Sequence, residues 1–161
     1  MDVAEDEMMP AVAPIGYAAE KKSKRETLMR KKMKSDERVP FDELFFAGDF
    51  AHPLAEANAG ALAAPFQMVR RAPSATNKQP WRVVVDGNKV HFYEHKSKGY
   101  AREATGDIQK VDLGIALCHF EIAAKEADLA GTFTESDPGI EAPDRTAYVI
   151  TYTVDGASPL G

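Results

Sequence analysis

The ten residues Ala72–Trp81, reading APSATNKQPW, constrain the fold of this chain more than any other stretch. Pro73 has no N–H to give and its ring clashes with the preceding turn, so a helix must stop there. Pro80 drives Gln79 towards an extended backbone. Trp81 and Arg82 then lead into the apolar run Val83–Val85. The string marks a helix end, a short turn and a strand start. Ser74, Thr76, Asn77 and Gln79 set short polar side chains on that turn. Neutral donors and acceptors on a rigid turn suit a planar, polar-edged ligand better than a metal or a nucleophilic reaction. Taken singly, the same residues are ordinary helix-stop and turn formers, and Trp81, the only tryptophan, reads as a core anchor.

Patterns on either side fill in the chain. Residues 1–7 are acidic and read as loose. Met8–Ile15 is apolar with two prolines, so it fits an edge strand or an extended arm. Residues 20–35 predict a basic surface helix docked by a narrow stripe of Leu28, Met29 and Met33. Val39-Pro40 ends it, and Phe41–Phe46 reads as an apolar plug before Gly48. Leu54–Arg71 is a helix divided at Pro65, which can sit in a first turn. Asp86-Gly87-Asn88-Lys89 between Val83–Val85 and Val90–Tyr93 is a strong hairpin signal. Residues 95–106 read as a loop. Asp107 can cap a helix over 108–128, apolar on most sides and therefore expected as the buried central helix. Gly114 costs that helix about 1 kcal/mol relative to alanine, which predicts close packing against it. Gly131 is read as ending it. Residues 131–134 and 147–154 read as strands, residues 136–146 as a loop, and the last residues as a frayed tail. The fold expected is α+β: a small, mainly antiparallel sheet packed on a central helix, with flanking helices. Residues 1–50 form an arm and surface helix, and residues 51–161 the domain.

At 161 residues the chain can build one sizeable core. A net charge of −5 argues against a general nucleic-acid binder. The single cysteine, Cys118, precludes an internal disulfide framework and fits a reducing compartment; its apolar surroundings read as those of an inert core thiol. The acidic start lacks the regions of a signal peptide. No apolar run approaches the roughly 20 residues that cross a bilayer. The expectation is a cytoplasmic protein without membrane or nucleic-acid partners. His52, His91, His95 and His119 share no metal spacing.

The string Ala72-Pro73-Ser74, Asn77, Gln79-Pro80-Trp81 resembles the signature of the FMN-dependent nitroreductase family, in which a helix ends in Ala-Pro-Ser and x-x-Asn-x-Gln-Pro-Trp leads into a strand. Asp112-x-Gly114 with Ala123-Ala124, then Leu129 and Gly131, is similar to the family's central helix and its exit. The resemblance covers residues 65–154. It is nearest to a divergent branch in which two nitroreductase-like units share one polypeptide, where the run Asp107–Phe133 has close counterparts. Pro14-Ile15-Gly16-Tyr17, followed by Glu20 and a basic helix, looks like the closing segment of such a unit. By this reading the chain holds the tail of a first unit and most of a second. The family's Arg-Arg-Ser-x-Arg stretch, whose cations hold the flavin phosphate, is missing; Lys24-Arg25-Glu26 and Arg70-Arg71-Ala72 sit in other contexts.

The resemblance implies a sheet completed by a second unit, and hydride transfer from NAD(P)H through FMN to a nitroaromatic, quinone or similar oxidised organic substrate. The flavin carries that chemistry, so no catalytic acid, base or nucleophile is required. Ser74 and Asn77 would contact the flavin, with Pro73 and Gln79 shaping the pocket. Lys24 and Arg25 would reach its phosphate, against the simpler reading of a solvated helix face. The expected partner is a second copy of the chain or a missing first half. Two other readings stand beside this one: a truncated or half-domain nitroreductase-like protein without stable flavin binding, and an interaction module acting through its basic helix.

Overall fold

The computed structural model describes residues 15–17, 23–102 and 106–160. Its helices are α1 (Lys24–Lys32), α2 (Ala63–Arg71) and α3 (Ile108–Glu126). Its strands are β1 (Phe45–Ala47), β2 (Trp81–Asp86), β3 (Lys89–His95), β4 (Ala101–Arg102), β5 (Gly106–Asp107), β6 (Gly131–Thr134) and β7 (Thr146–Val154). Five strands form one sheet in the order β1-β2-β3-β7-β6. Only β1–β2 is parallel; the other neighbours are antiparallel. The α+β architecture expected from the sequence is present, with the antiparallel hairpin at its centre.

The hairpin follows from its turn. Asp86 pairs with Lys89, and Gly87 takes φ +57°, a conformation that costs glycine little. Register then puts Trp81, Val83 and Val85 on one face, opposite Glu94, Phe92 and Val90. That face meets α2 and α3, whose Phe66, Val69, Leu113, Ala116 and Phe120 join the same core. Phe92 meets Phe120 edge-on at 5.1 Å, and Phe45 stacks on Phe66 at 4.3 Å. Burying each such ring stabilises by roughly 1.5–3 kcal/mol. Trp81 is fully buried, as its core reading requires. On the other face His91, Tyr93 and Thr151 are also buried. Phe50 packs edge-on against Tyr93, and Thr151 Oγ1 donates to Ser136 O at 2.9 Å.

Pro65 falls in the first turn of α2, with short 3-10 turns before it rather than a separate longer helix. Asp107 caps α3, its side chain accepting from Gln109 N. Other expectations are corrected. The Phe41–Phe46 plug is a 3-10 turn followed by β1, because Phe45–Ala47 finds an unpaired edge on β2. Phe41, Leu44 and Phe45 belong to the common core. The 95–106 loop contains the β4–β5 ribbon. Helix α1 buries no residue; Leu28 and Met29 are exposed, so its apolar stripe is not what docks it. Helix α3 ends at Glu126 with Ala127 as its C-cap and Asp128 in the left-handed region, and Gly131 instead begins β6. There a Cβ would collide with Thr153 O and the Tyr152 ring.

Helix α3 is buried along one side only. Ile108, Val111 and Ile122 are exposed, and so is Cys118, which is therefore not a core thiol. Gly114 faces open space, not a close neighbour. The tail is docked: Pro159 is buried and Ala61 N donates to its carbonyl at 3.0 Å. The arm expected over Met8–Ile15 lies outside the described residues apart from Ile15, which is exposed.

Candidate active site

The turn between α2 and β2 is held in an unusual backbone. Ser74 is extended, and its Oγ accepts from Gln79 N at 2.9 Å. Thr76, Asn77 and Gln79 have φ of +50°, +57° and +48°. Left-handed backbone costs an ordinary L-residue about 1–2 kcal/mol, least for Asn and most for a β-branched residue such as Thr76. Non-glycine residues clustered there persist only where surrounding contacts over-determine the backbone, and such clusters concentrate at functional sites.

The contacts are specific. Asp112, on the buried side of α3, accepts from Ala75 N at 2.9 Å. The Asn77 amide donates to Lys34 O at 2.7 Å and to Glu37 O at 2.9 Å. Its oxygen accepts from Gln79 Nε2 at 3.2 Å and from Arg38 Nη1 at 3.4 Å. Gln79 Oε1 accepts from Val39 N at 3.0 Å. Thr76 Oγ1 hydrogen-bonds the Tyr100 hydroxyl. The two amides thus clasp the segment after α1 onto the turn.

Between the end of α1 and the turn lies a cavity of about 740 Å³. Its wall includes Asn77 and Gln79, the thioethers of Met29 and Met33, and the Tyr100 ring. Lys32, Lys34, Arg38 and Lys78 also line it, with Glu37 the one acid. Glu37 pairs with Lys34 at 3.0 Å. Lys78 Nζ lies 5.8 Å from the centre of the Tyr100 ring. The wall therefore offers cations, a flat aromatic face and soft apolar side chains, which fits a planar ligand bearing an anionic group.

Of the residues singled out from sequence, Asn77 and Gln79 line this cavity. Ser74 lies beneath them as the hydrogen-bonded brace of the turn. Pro73 is exposed and stops α2 without entering the lining. Lys24 and Arg25 are exposed on the first turn of α1, away from the lining. Lys32 and Lys34, further along the same basic run, line the cavity instead. Lys78 lay within the signature string itself. Arg38 and Tyr100 carried no local signal, because only the chain's return paths bring them to the turn.

Glu94 and Asp112 are almost fully enclosed. Burial raises the Glu94 carboxyl above its ordinary value, and neighbouring Asp107 raises it further. Burial also raises Asp112; its bond from Ala75 opposes the shift, and Asp107 adds to it. Among the described residues no group of three or more His, Cys, Asp or Glu is placed to hold a metal ion.

A family model described as "Putative TM nitroreductase" matches residues 1–124. The chain belongs to this nitroreductase family. The match includes both the basic segment and the signature turn, and membership places the chain among nitroreductase-type oxidoreductases, a typically flavin-associated group. No curated protein and no solved structure matches the chain. Among the described residues no helix is long and apolar enough to cross a membrane.

Proposed function

We propose that this nitroreductase-family chain is a cytoplasmic FMN-dependent oxidoreductase that uses NAD(P)H to reduce nitroaromatics, quinones or similar oxidised organic molecules. The observation that carries the reading is the strained Ser74–Gln79 turn beside a cavity lined by four cationic side chains. The chemistry FMN would supply here is hydride transfer from the nicotinamide to the substrate. The chain's residues bind and orient. Lys32, Lys34 and Lys78 would hold its phosphate in place of the Arg-Arg-Ser-x-Arg cations. Tyr100 and the methionines would give its ring an apolar seat. Asn77 and Gln79 shape the wall while their amides clasp residues 34–39.

The reading includes a second copy of the chain. Ile108, Val111, Ile115, Cys118 and Ile122 recur at alternating three- and four-residue spacing along α3, the pattern of a helix–helix seam. Among the described residues nothing covers the exposed members of that seam, and open Gly114 admits close approach. This supports a second subunit packed on α3, which the reading takes to be a second copy of the chain. One observation favours the non-catalytic alternative: the Asn77 and Gln79 amides are already engaged within the chain.

The deciding experiment titrates purified chain with FMN, reading visible absorbance and flavin fluorescence, then assays NAD(P)H oxidation with a nitroaromatic acceptor. Saturable binding weakened by Lys32→Ala with Lys78→Ala, together with acceptor-dependent turnover, is expected. A chain that leaves the FMN signal unchanged at high concentration sinks the enzyme reading.

A further inference from the structure

We infer that Asp112 is the positioning residue of the site: its carboxylate fixes the signature turn through Ala75, and it acts on a bound flavin only by that route. This deepens the reading above and rests on it for its link to flavin.

The argument begins with how isolated this carboxylate is. Asp112 is only 4% exposed and sits among the buried residues of α3, between Gln109 and Ala116. Gln109 has partners on both ends of its amide, accepting from Ser97 N at 2.7 Å and donating to His95 O at 3.5 Å. Asp112 accepts from Ala75 N, while its other oxygen, Oδ2, is enclosed without a hydrogen-bond partner. Burying a carboxylate with one oxygen unpaired is costly, and an apolar side chain would fill the same space without that cost. The feature that distinguishes aspartate here is the bond to Ala75.

That bond falls where it controls most. Ala75 opens the turn, directly before left-handed Thr76 and Asn77. The turn's own bonds, Asn77 N to Ser74 O, Lys78 N to Ala75 O and Gln79 N to Ser74 Oγ, all close around it. Without an acceptor the Ala75 N–H would be an unmet donor and the strained segment would lose its link to α3. The carboxylate is not part of the cavity wall. It therefore acts through the backbone.

The test measures amide hydrogen exchange of residues 77–79 in the flavin-free chain, and FMN affinity by fluorescence, in three variants. Asp112→Ala removes the acceptor. Asp112→Asn keeps an oxygen in place. Ala75→Pro removes the donor and sets its ring methylene against Asp112 Oδ1, so it is read beside the double variant with Asp112→Ala, which clears that contact; extended Ser74 before it accommodates a following proline. Asp112→Ala and Ala75→Pro are each expected to speed exchange at Asn77, Lys78 and Gln79 about tenfold, with Val83 and Val85 in β2 speeding by no more than the loss of global stability measured in urea. The double variant should be no worse than either single. Asp112→Asn should stay near wild type, and FMN should bind about tenfold more weakly to Asp112→Ala alone of the two Asp112 variants. If Asp112→Ala does not fold, Ala75→Pro and Asp112→Asn still decide. Unchanged exchange at the turn, or Asp112→Asn behaving as Asp112→Ala or failing to fold, overturns the inference. So does faster exchange with unaltered FMN affinity. A wild-type chain that binds no FMN overturns the functional reading instead, while the exchange data still decide whether Asp112 holds the turn.

Discussion

At the residue scale the informative positions are those whose backbone or packing contradicts their type. Thr76 is β-branched, exposed and left-handed. Thr76→Gly should therefore raise unfolding free energy by about 1 kcal/mol in urea titrations, while loosening the turn and weakening FMN binding. No change in stability would mean that Thr76 carries no backbone strain. Gly131 is the converse. Gly131→Ala should destabilise by about 1–3 kcal/mol, because its Cβ would meet backbone Thr153 O rather than a side chain that can swing away. The sequence located the turn residues, since Pro73 and Pro80 act on their immediate neighbours. It did not disclose that Asn77 and Gln79 spend their amides on residues 34–39, because those partners lie about forty positions away along the chain.

At the scale of elements, α3 carries the main lesson. Its sequence is apolar on most sides, which predicts a buried central helix. The sheet and α2 cover one side, and the stripe through Val111 and Ile122 remains exposed. Val111→Glu with Ile122→Glu should leave far-UV circular dichroism intact and convert a dimer into a monomer on gel filtration. A wild-type chain that already elutes as a monomer would remove the seam proposal. Gly114→Ala adds a methyl group in open space within the chain, so it should stabilise an isolated protomer by about 1 kcal/mol in chemical denaturation. Helix α1 teaches the opposite point. Its helicity was legible in the basic run and is reinforced by Ser23 accepting from Glu26 N at 3.1 Å, but its docking was not. It buries nothing, and the clasp that follows secures the segment.

Across the whole molecule, buried titratable groups on the two faces of the sheet oppose one another as pH changes. His91 is buried, and burial lowers its pKa from the ordinary 6.5. The unfolded chain then takes up this proton more readily than the fold. Stability from His91 is complete above the unfolded value and is lost as pH falls through it towards the lowered folded value. Glu94 runs the other way. Burial and Asp107 raise its pKa above 4.5, so the fold holds a proton that the unfolded chain releases, and stability falls as pH rises through that window. Glu94→Gln should therefore be more stable than wild type near pH 8, with the gain shrinking as pH falls in parallel urea titrations. A gain independent of pH would show that ionisation of Glu94 is not the cause.

Sequence alone determined what short-range chemistry can dictate. The prolines around Ser74–Gln79 ended a helix and opened a strand, Asp86–Lys89 closed the hairpin, Asp107 capped α3, and the signature string pointed to the family. Each depends on dihedral limits or bonds spanning a few residues. Tertiary structure decided the rest: that Phe45–Ala47 is an edge strand, which side of α3 is covered, that the tail docks at Gly60–Leu62, and that Lys32, Lys34, Arg38 and Tyr100 converge on the turn. These outcomes depend on which distant segment satisfies an open edge, a buried donor or an apolar face, and the sequence lists the possible partners without pairing them.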